Sequence, residues 1–237
     1  METLHETYFD RLDEILERIR VSGRESIPAA AEIIATTVAG GGVVHAFGSG
    51  HSQLLAIDLA GRAGGLASVN VIFDPANGRA ENLEGYAATL LKDTVFDAGD
   101  CLVVISNSGR NPSPIEMAMA GKAAGLPVIA LTSVKFSKRV SSRHSSGRKL
   151  YELADVVLDL CGEAGDAAVP LPGGVTVGPT STSAGSALLQ ATVAAAAAML
   201  QARGLEPPVF VSQNLDGSGD RNEELRARYR GRVHVYG

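Results

Sequence analysis

Two stretches of this chain share one plan: VVHAFGSGHSQLLAIDLAGRAGG at 43–65 and CLVVISNSGRNPSPIEMAMAGKAAG at 101–125. Each passes from an apolar, β-branched strand through a loop of glycine, serine and asparagine into a helix. Such a loop aims free backbone N–H groups and the positive end of a helix dipole at one small volume, which makes an anion site. Serine hydroxyls add donors, and glycine lets the backbone approach the anion closely. Two such loops in one chain point to a single phosphorylated ligand held between them.

The rest of the chain alternates in the same way. Strands are expected at 43–47, 69–73, 101–105, 127–132 and 155–160, all short and largely apolar, as in a parallel sheet covered on both faces. Helices are expected near 52–63, 81–91 and 112–124. Ahead of them, Leu4, Leu12, Ile15, Leu16 and Ile19 fall at helical spacing, and a second helix over 27–39 stops at Gly40, Gly41 and Gly42. This pattern predicts an α/β fold: a three-layer α/β/α sandwich around a five-stranded, mostly parallel sheet of flavodoxin-like layout. Ligands of such sheets bind beyond the carboxyl ends of the strands, where both loops lie.

Residues 161–179 are rich in glycine and proline and read as a connection. A long helix follows, capped by one of Thr180–Ser183 and ended by Gly204. Its run Ala194 to Ala198 suits either close packing on the sheet or a subunit contact. The expected organisation is an N-terminal helix over 1–26, one α/β domain over 27–205, and a C-terminal extension over 206–237 packed on it. That extension reads as a short strand, a capped helix and an extended end.

Composition narrows the setting. With 237 residues the chain fits one medium domain, and a net charge of −5 argues against a protein that coats nucleic acid. Two cysteines, Cys101 and Cys161, make no disulfide framework and read as core thiols. The amphipathic N-terminus is unlike a signal peptide and no apolar run reads as long enough to cross a membrane, so no membrane partner and a cytoplasmic location are expected.

The first loop lacks a Walker-type GKS or GKT. Gly48-Ser49-Gly50 imitates the start of a dinucleotide fingerprint, but Gln53 stands at the third glycine and only Asp74 is available for a ribose. Together, Gly48, Gly50 and Ser52 as G-x-G-x-S, then Ser106, Ser108 and Gly109 as S-x-S-G, resemble the SIS (sugar isomerase) domain family of phosphosugar binders over roughly residues 30–200. The resemblance implies a sugar phosphate held by Ser52, Ser106, Asn107 and Ser108, with Ser49, His51 and the loop glycines around it. Asn111 stands where the family often has Ser or Thr. A homodimer or homotetramer is also implied.

Isomerisation moves a proton between adjacent carbons and needs a base of suitable pKa. Glu81 and Glu84 follow the second strand on the ligand edge, where phosphoheptose isomerases carry such a glutamate; both also suit a helix N-terminus. The basic segment 133–150 lies at the same edge, with His144 among Lys135, Lys138, Arg139, Arg143, Arg148 and Lys149. It reads either as a lid over an anionic sugar or as a solvated loop. His144 is the leading histidine for proton transfer, and His51 the second. Some phosphoheptose isomerases use zinc, but five scattered histidines show no paired ligand spacing, so neither metal nor cofactor is expected. In the tail, Asn214, Asp216 or Asn222 either reaches a neighbouring subunit or forms a turn and cap. The function expected is aldose–ketose isomerisation of a sugar phosphate, with an amino-sugar phosphate lyase or etherase and a non-catalytic phosphosugar sensor as alternatives.

Overall fold

The computed structural model describes residues 4–215 and 219–234. Strands β1 (Val44–Gly48), β2 (Val69–Ile72), β3 (Cys101–Ile105), β4 (Val128–Thr132) and β5 (Val156–Asp159) form one parallel sheet in the order β2-β1-β3-β4-β5. Successive side chains point to opposite faces. Val44 and Ala46 of β1 and Val103 and Ile105 of β3 enter one apolar core. Phe47, Leu102 and Val104 enter the other. Apolar burial on both faces explains why these strands read as continuous hydrophobic runs.

One layer consists of α1 (Leu4–Ala39), α2 (Ser52–Leu59) and α6 (Ser181–Ala202); α1 packs along α6 and against β5. The other holds α3 (Tyr86–Leu90), α4 (Pro112–Ala123) and a 3-10 turn at Leu150–Glu152. A short α5 (Val134–Arg139) follows β4, and α7 (Gly219–Tyr229) lies in the C-terminal extension. The expected three-layer α/β fold is present.

Several elements differ from expectation. The two N-terminal helices are one continuous helix of 36 residues that runs across the expected boundary at 26. Pro28 removes one backbone hydrogen bond, but buried Ala30, Ala31, Ile34 and Ala35 hold the following turns against the core. The helix expected over 81–91 is confined to Tyr86–Leu90 because Gly85, at φ 85°, sits in the left-handed region. Residues 161–179 hold an antiparallel hairpin, β6 (Ala167–Pro170) with β7 (Thr176–Pro179). Finally, α6 is long and apolar enough, by length and composition, to cross a membrane. Its buried residues include Leu188, Leu189, Val193 and Leu200, which join the same core as α1.

Cys101 is buried, and desolvation pushes its thiol up to about 12. Cys161 is only partly buried and lies 3.3 Å from the Ser22 hydroxyl. In the tail, Val209 bridges to Leu66, and the Asn222 side chain is spent on both backbone groups of Val211. Asn214 donates its backbone N–H to Ser212, while Asp216 lies outside the described residues.

The extension is fastened at the amino ends of β1 and β3. Arg232 donates to both oxygens of fully buried Asp100 at 2.9 Å and pairs with Asp97 at 2.8 Å. Asp100 also accepts the Val43 N–H at 2.8 Å and meets His45 Nε2 at 3.1 Å. Hydrogen bonds to a charged group contribute about 1.5–3 kcal/mol. Arg232→Ala is therefore expected to lower stability by about 2 kcal/mol, read by denaturant unfolding; an unchanged midpoint would refute this fastening.

Candidate functional site

The chain leaves β1 in one direction to form β2 and returns to form β3 on the other side, so the topological switch lies between β1 and β3. Open α/β sheets bind ligands at that point, outside the carboxyl ends. Gly48 sits beside Ile105 in register. The two serine loops therefore emerge next to each other and line one cleft of about 590 Å³.

The first loop is shaped by close approach. A Cβ on Gly48 would lie 2.3 Å from the Ser52 carbonyl oxygen, so only glycine fits there. His51 leads into α2, and among the described residues the N–H groups of Gly50 and His51 have no acceptor within the chain. Ser52 lines the cleft. Ser49, by contrast, donates its hydroxyl to Asp74 Oδ2 at 2.6 Å.

The second loop turns at Gly109, with φ 58°. Gly109 donates its N–H to Ser106 Oγ at 3.2 Å, which shapes the turn and leaves the Ser106 proton available. Ser108 lines the cleft, and the Asn107 Oδ1 atom is buried without a partner. Among the described residues the N–H groups of Asn107 and Ser108 also lack an acceptor. Asn111 precedes α4, whose Pro112 and Pro114 suit a first helical turn.

A third loop, after β2, joins them. Asp74 is 1% exposed and accepts from Ser49 Oγ, Ala76 N, Gly78 N and Tyr86 Oη. Burial raises its pKa, but those four bonds outweigh burial and hold it below the ordinary carboxylate value. Asp74 thus organises two loops, and its oxygens are occupied rather than offered to a ribose.

Glu81 lines the same cleft. Its backbone carbonyl accepts the Ser113 N–H at 3.1 Å, and its carboxyl is held by Asn111. Asn111 Oδ1 in turn accepts from Arg143 at 3.0 Å. Burial pushes Glu81 above the ordinary glutamate value, against the opposing pull of Asn111 and Arg143. Glu84 is elsewhere: its carboxylate accepts the Ser145 N–H at 2.6 Å and hydroxyl at 2.7 Å, which lower its pKa. His144 sits 3.9 Å from Glu84 and 3.7 Å from Glu116. The structure brings Glu81 and His51 to the cleft, but neither Glu84 nor His144 lines it.

Segment 133–150 packs on the back of the second loop. Ser133, Arg143 and Leu150 donate backbone N–H groups to the carbonyls of Asn107, Arg110 and Gly109. Phe136 is its contribution to the cleft, while Lys135 turns to Glu163 and Arg148 to Glu152. Its basic side chains do not line the cleft, so in this arrangement the segment buttresses the loop.

Sequence reasoning missed the far wall, made by Asp166, Ser181 and Thr182. Asp166 caps α6, accepting from the N–H groups of Thr180 and Ser181 and from the Ser181 hydroxyl. The TSTS run signalled a helix cap, but not which end of the sheet that cap faces. Arg79, also in the cleft wall, was missed as well. Among the described residues no group of three or more His, Cys, Asp or Glu is placed to hold a metal ion.

A family model for the SIS domain matches residues 7–133. The chain belongs to the SIS domain family. Its relatives include the UPF0309 protein of Shouchella clausii, 40% identical over 97% of this chain and 98% of the relative. The UPF0309 protein of Listeria monocytogenes is 41% identical over 96% and 97%. Among solved structures, phosphoheptose isomerase GmhA from Neisseria gonorrhoeae superposes with a TM-score of 0.56 at 20% identity, covering 84% of this chain and 100% of that one. A putative phosphosugar isomerase involved in capsule formation from Bacteroides fragilis gives 0.56 at 18% identity, covering 94% of each. At these identities the likeness is one of fold. The SIS match contains both serine loops and the Asp74 loop; Asp166 and the α6 start lie beyond it.

Asp74→Asn keeps the shape but weakens four acceptor bonds. It is expected to cost about 1–3 kcal/mol and to speed amide exchange at Ala76 and Gly78. Unchanged exchange at both would show that the carboxylate does not hold the loop.

Proposed function

We propose that this SIS protein binds a phosphorylated sugar between its two serine loops and interconverts its aldose and ketose forms. The observation that carries this reading is one cleft holding free amide donors, the hydroxyls of Ser52, Ser106 and Ser108, and a half-buried glutamate of raised pKa. Ser52, Ser106, Asn107 and Ser108, with the amides of Gly50 and His51, take the phosphate. Glu81, ionised, removes the proton from carbon-2, giving an enediol, and returns it to carbon-1. Its raised pKa suits a base that must also act as the acid. His51 is the side chain assigned to carry the hydroxyl proton. Asn111 holds Glu81 rather than the phosphate. Glu84 and His144 brace the 141–147 segment against the loop that carries Glu81.

The same reading places the protein in the cytoplasm, acting without cofactor, nucleic acid or membrane. Exposed Leu54 and Ile57 on α2, a helix that packs against α6, support a homodimer or homotetramer.

A panel of sugar phosphates in deuterated water, followed by proton NMR, tests the reaction. One sugar is expected to lose its carbon-2 proton signal and to yield its isomer. Glu81→Gln should slow this exchange by about 100-fold or more while retaining ligand binding. Because the base must be ionised and burial raises its pKa, the wild-type rate should fall as pH drops through a value above the ordinary ~4.3 of glutamate. Saturable binding with no exchange for any sugar would instead support a sensor, and full turnover in Glu81→Gln would remove Glu81 as the base.

A further inference from the structure

The phosphate subsite described above offers hydroxyls and amides, which are neutral, to a ligand that carries about two negative charges. The cleft wall also holds two carboxyl groups, Glu81 and Asp166. Among the lining residues a single arginine or lysine is present, Arg79.

Three observations single it out. First, its place in the chain is fixed at the phosphate end. Gly78 packs on the first serine loop so closely that a Cβ there would lie 2.9 Å from Gly50 Cα and 3.2 Å from Gly50 N. Asp74 holds the Gly78 N–H at 2.8 Å, and Arg79 donates its own N–H to Ala76. Second, the guanidinium has no hydrogen-bond or ion-pair partner among the described residues, whereas Arg143, Arg148 and Arg232 are each engaged. Third, the buttress segment does not supply the missing charge, because its lysines and arginines do not line the cleft.

Taking the phosphosugar reading as its basis, we propose that Arg79 is the cationic ligand of the phosphate subsite, a specificity-determining residue that favours a phosphate ester over a neutral sugar. A guanidinium suits the task, since its planar fork meets phosphate oxygens in pairs. Gly78 and Asp74 then serve a second purpose: they bring a flexible cation within reach of two loops whose own cleft-lining residues include no lysine or arginine. Arg79 is exposed, so removing its charge leaves the packing intact.

The test is calorimetric titration of the full chain with inorganic phosphate, at two sodium chloride concentrations, for wild type, Arg79→Gln, Arg79→Lys and Ser108→Ala. The expected result is a Kd raised roughly tenfold or more in Arg79→Gln, a partial recovery in Arg79→Lys, and an unchanged melting temperature in both. Salt should weaken wild-type binding more than that of Arg79→Gln, because an exposed charge is screened. Wild-type affinity in Arg79→Gln, with loss in Ser108→Ala, would overturn the inference and leave the phosphosugar reading standing. A wild-type chain that takes up no phosphate would overturn both.

Discussion

Everything at this site depends on the parallel pairing of β1 with β3. That pairing sets Gly48 beside Ile105, so two loops separated by more than fifty residues in sequence leave the sheet together. Neither loop alone surrounds an anion. Side by side they present the free amides of both loops and the hydroxyls of Ser52, Ser106 and Ser108 to one volume. The pairing is secured by apolar burial above and below, and Arg232 with Asp100 fastens its far end.

Within that frame two carboxyl groups are driven in opposite directions by their surroundings. Burial acts on both. Asp74 receives four hydrogen bonds, so its charged form prevails and it serves as a fixed anchor. Glu81 has weaker support from Asn111 and Arg143, so burial prevails and its pKa is raised. Rigid loops beside a carboxyl of raised pKa suit enolisation chemistry. On the proposed reading, the site separates structural from chemical duty between two acidic residues seven positions apart in sequence.

Much of this was legible beforehand. The strands could be read because each is buried on both faces, and the serine loops because their glycines answer to local sterics at Gly48 and Gly109. What remained hidden depends on distant contacts. The boundary expected at 26 is absent because tertiary packing of the turns after Pro28 carries α1 through. The hairpin at 167–179 hides behind glycine and proline, and its role in aiming Asp166 at α6 requires the fold. Glu81 and Glu84 look alike in sequence; Ser113 and Asn111 hold one in the cleft, while Ser145 draws the other away. Charge on segment 133–150 likewise says nothing of which way it faces.

The central claim is that one phosphate bridges both serine loops. It is tested most directly by a ¹H–¹⁵N spectrum of the assigned protein titrated with a sugar phosphate. The amides of Gly50, His51, Asn107 and Ser108 are expected to shift together along a single binding curve. Shifts confined to one loop, or centred away from the carboxyl ends of β1 and β3, would contradict it.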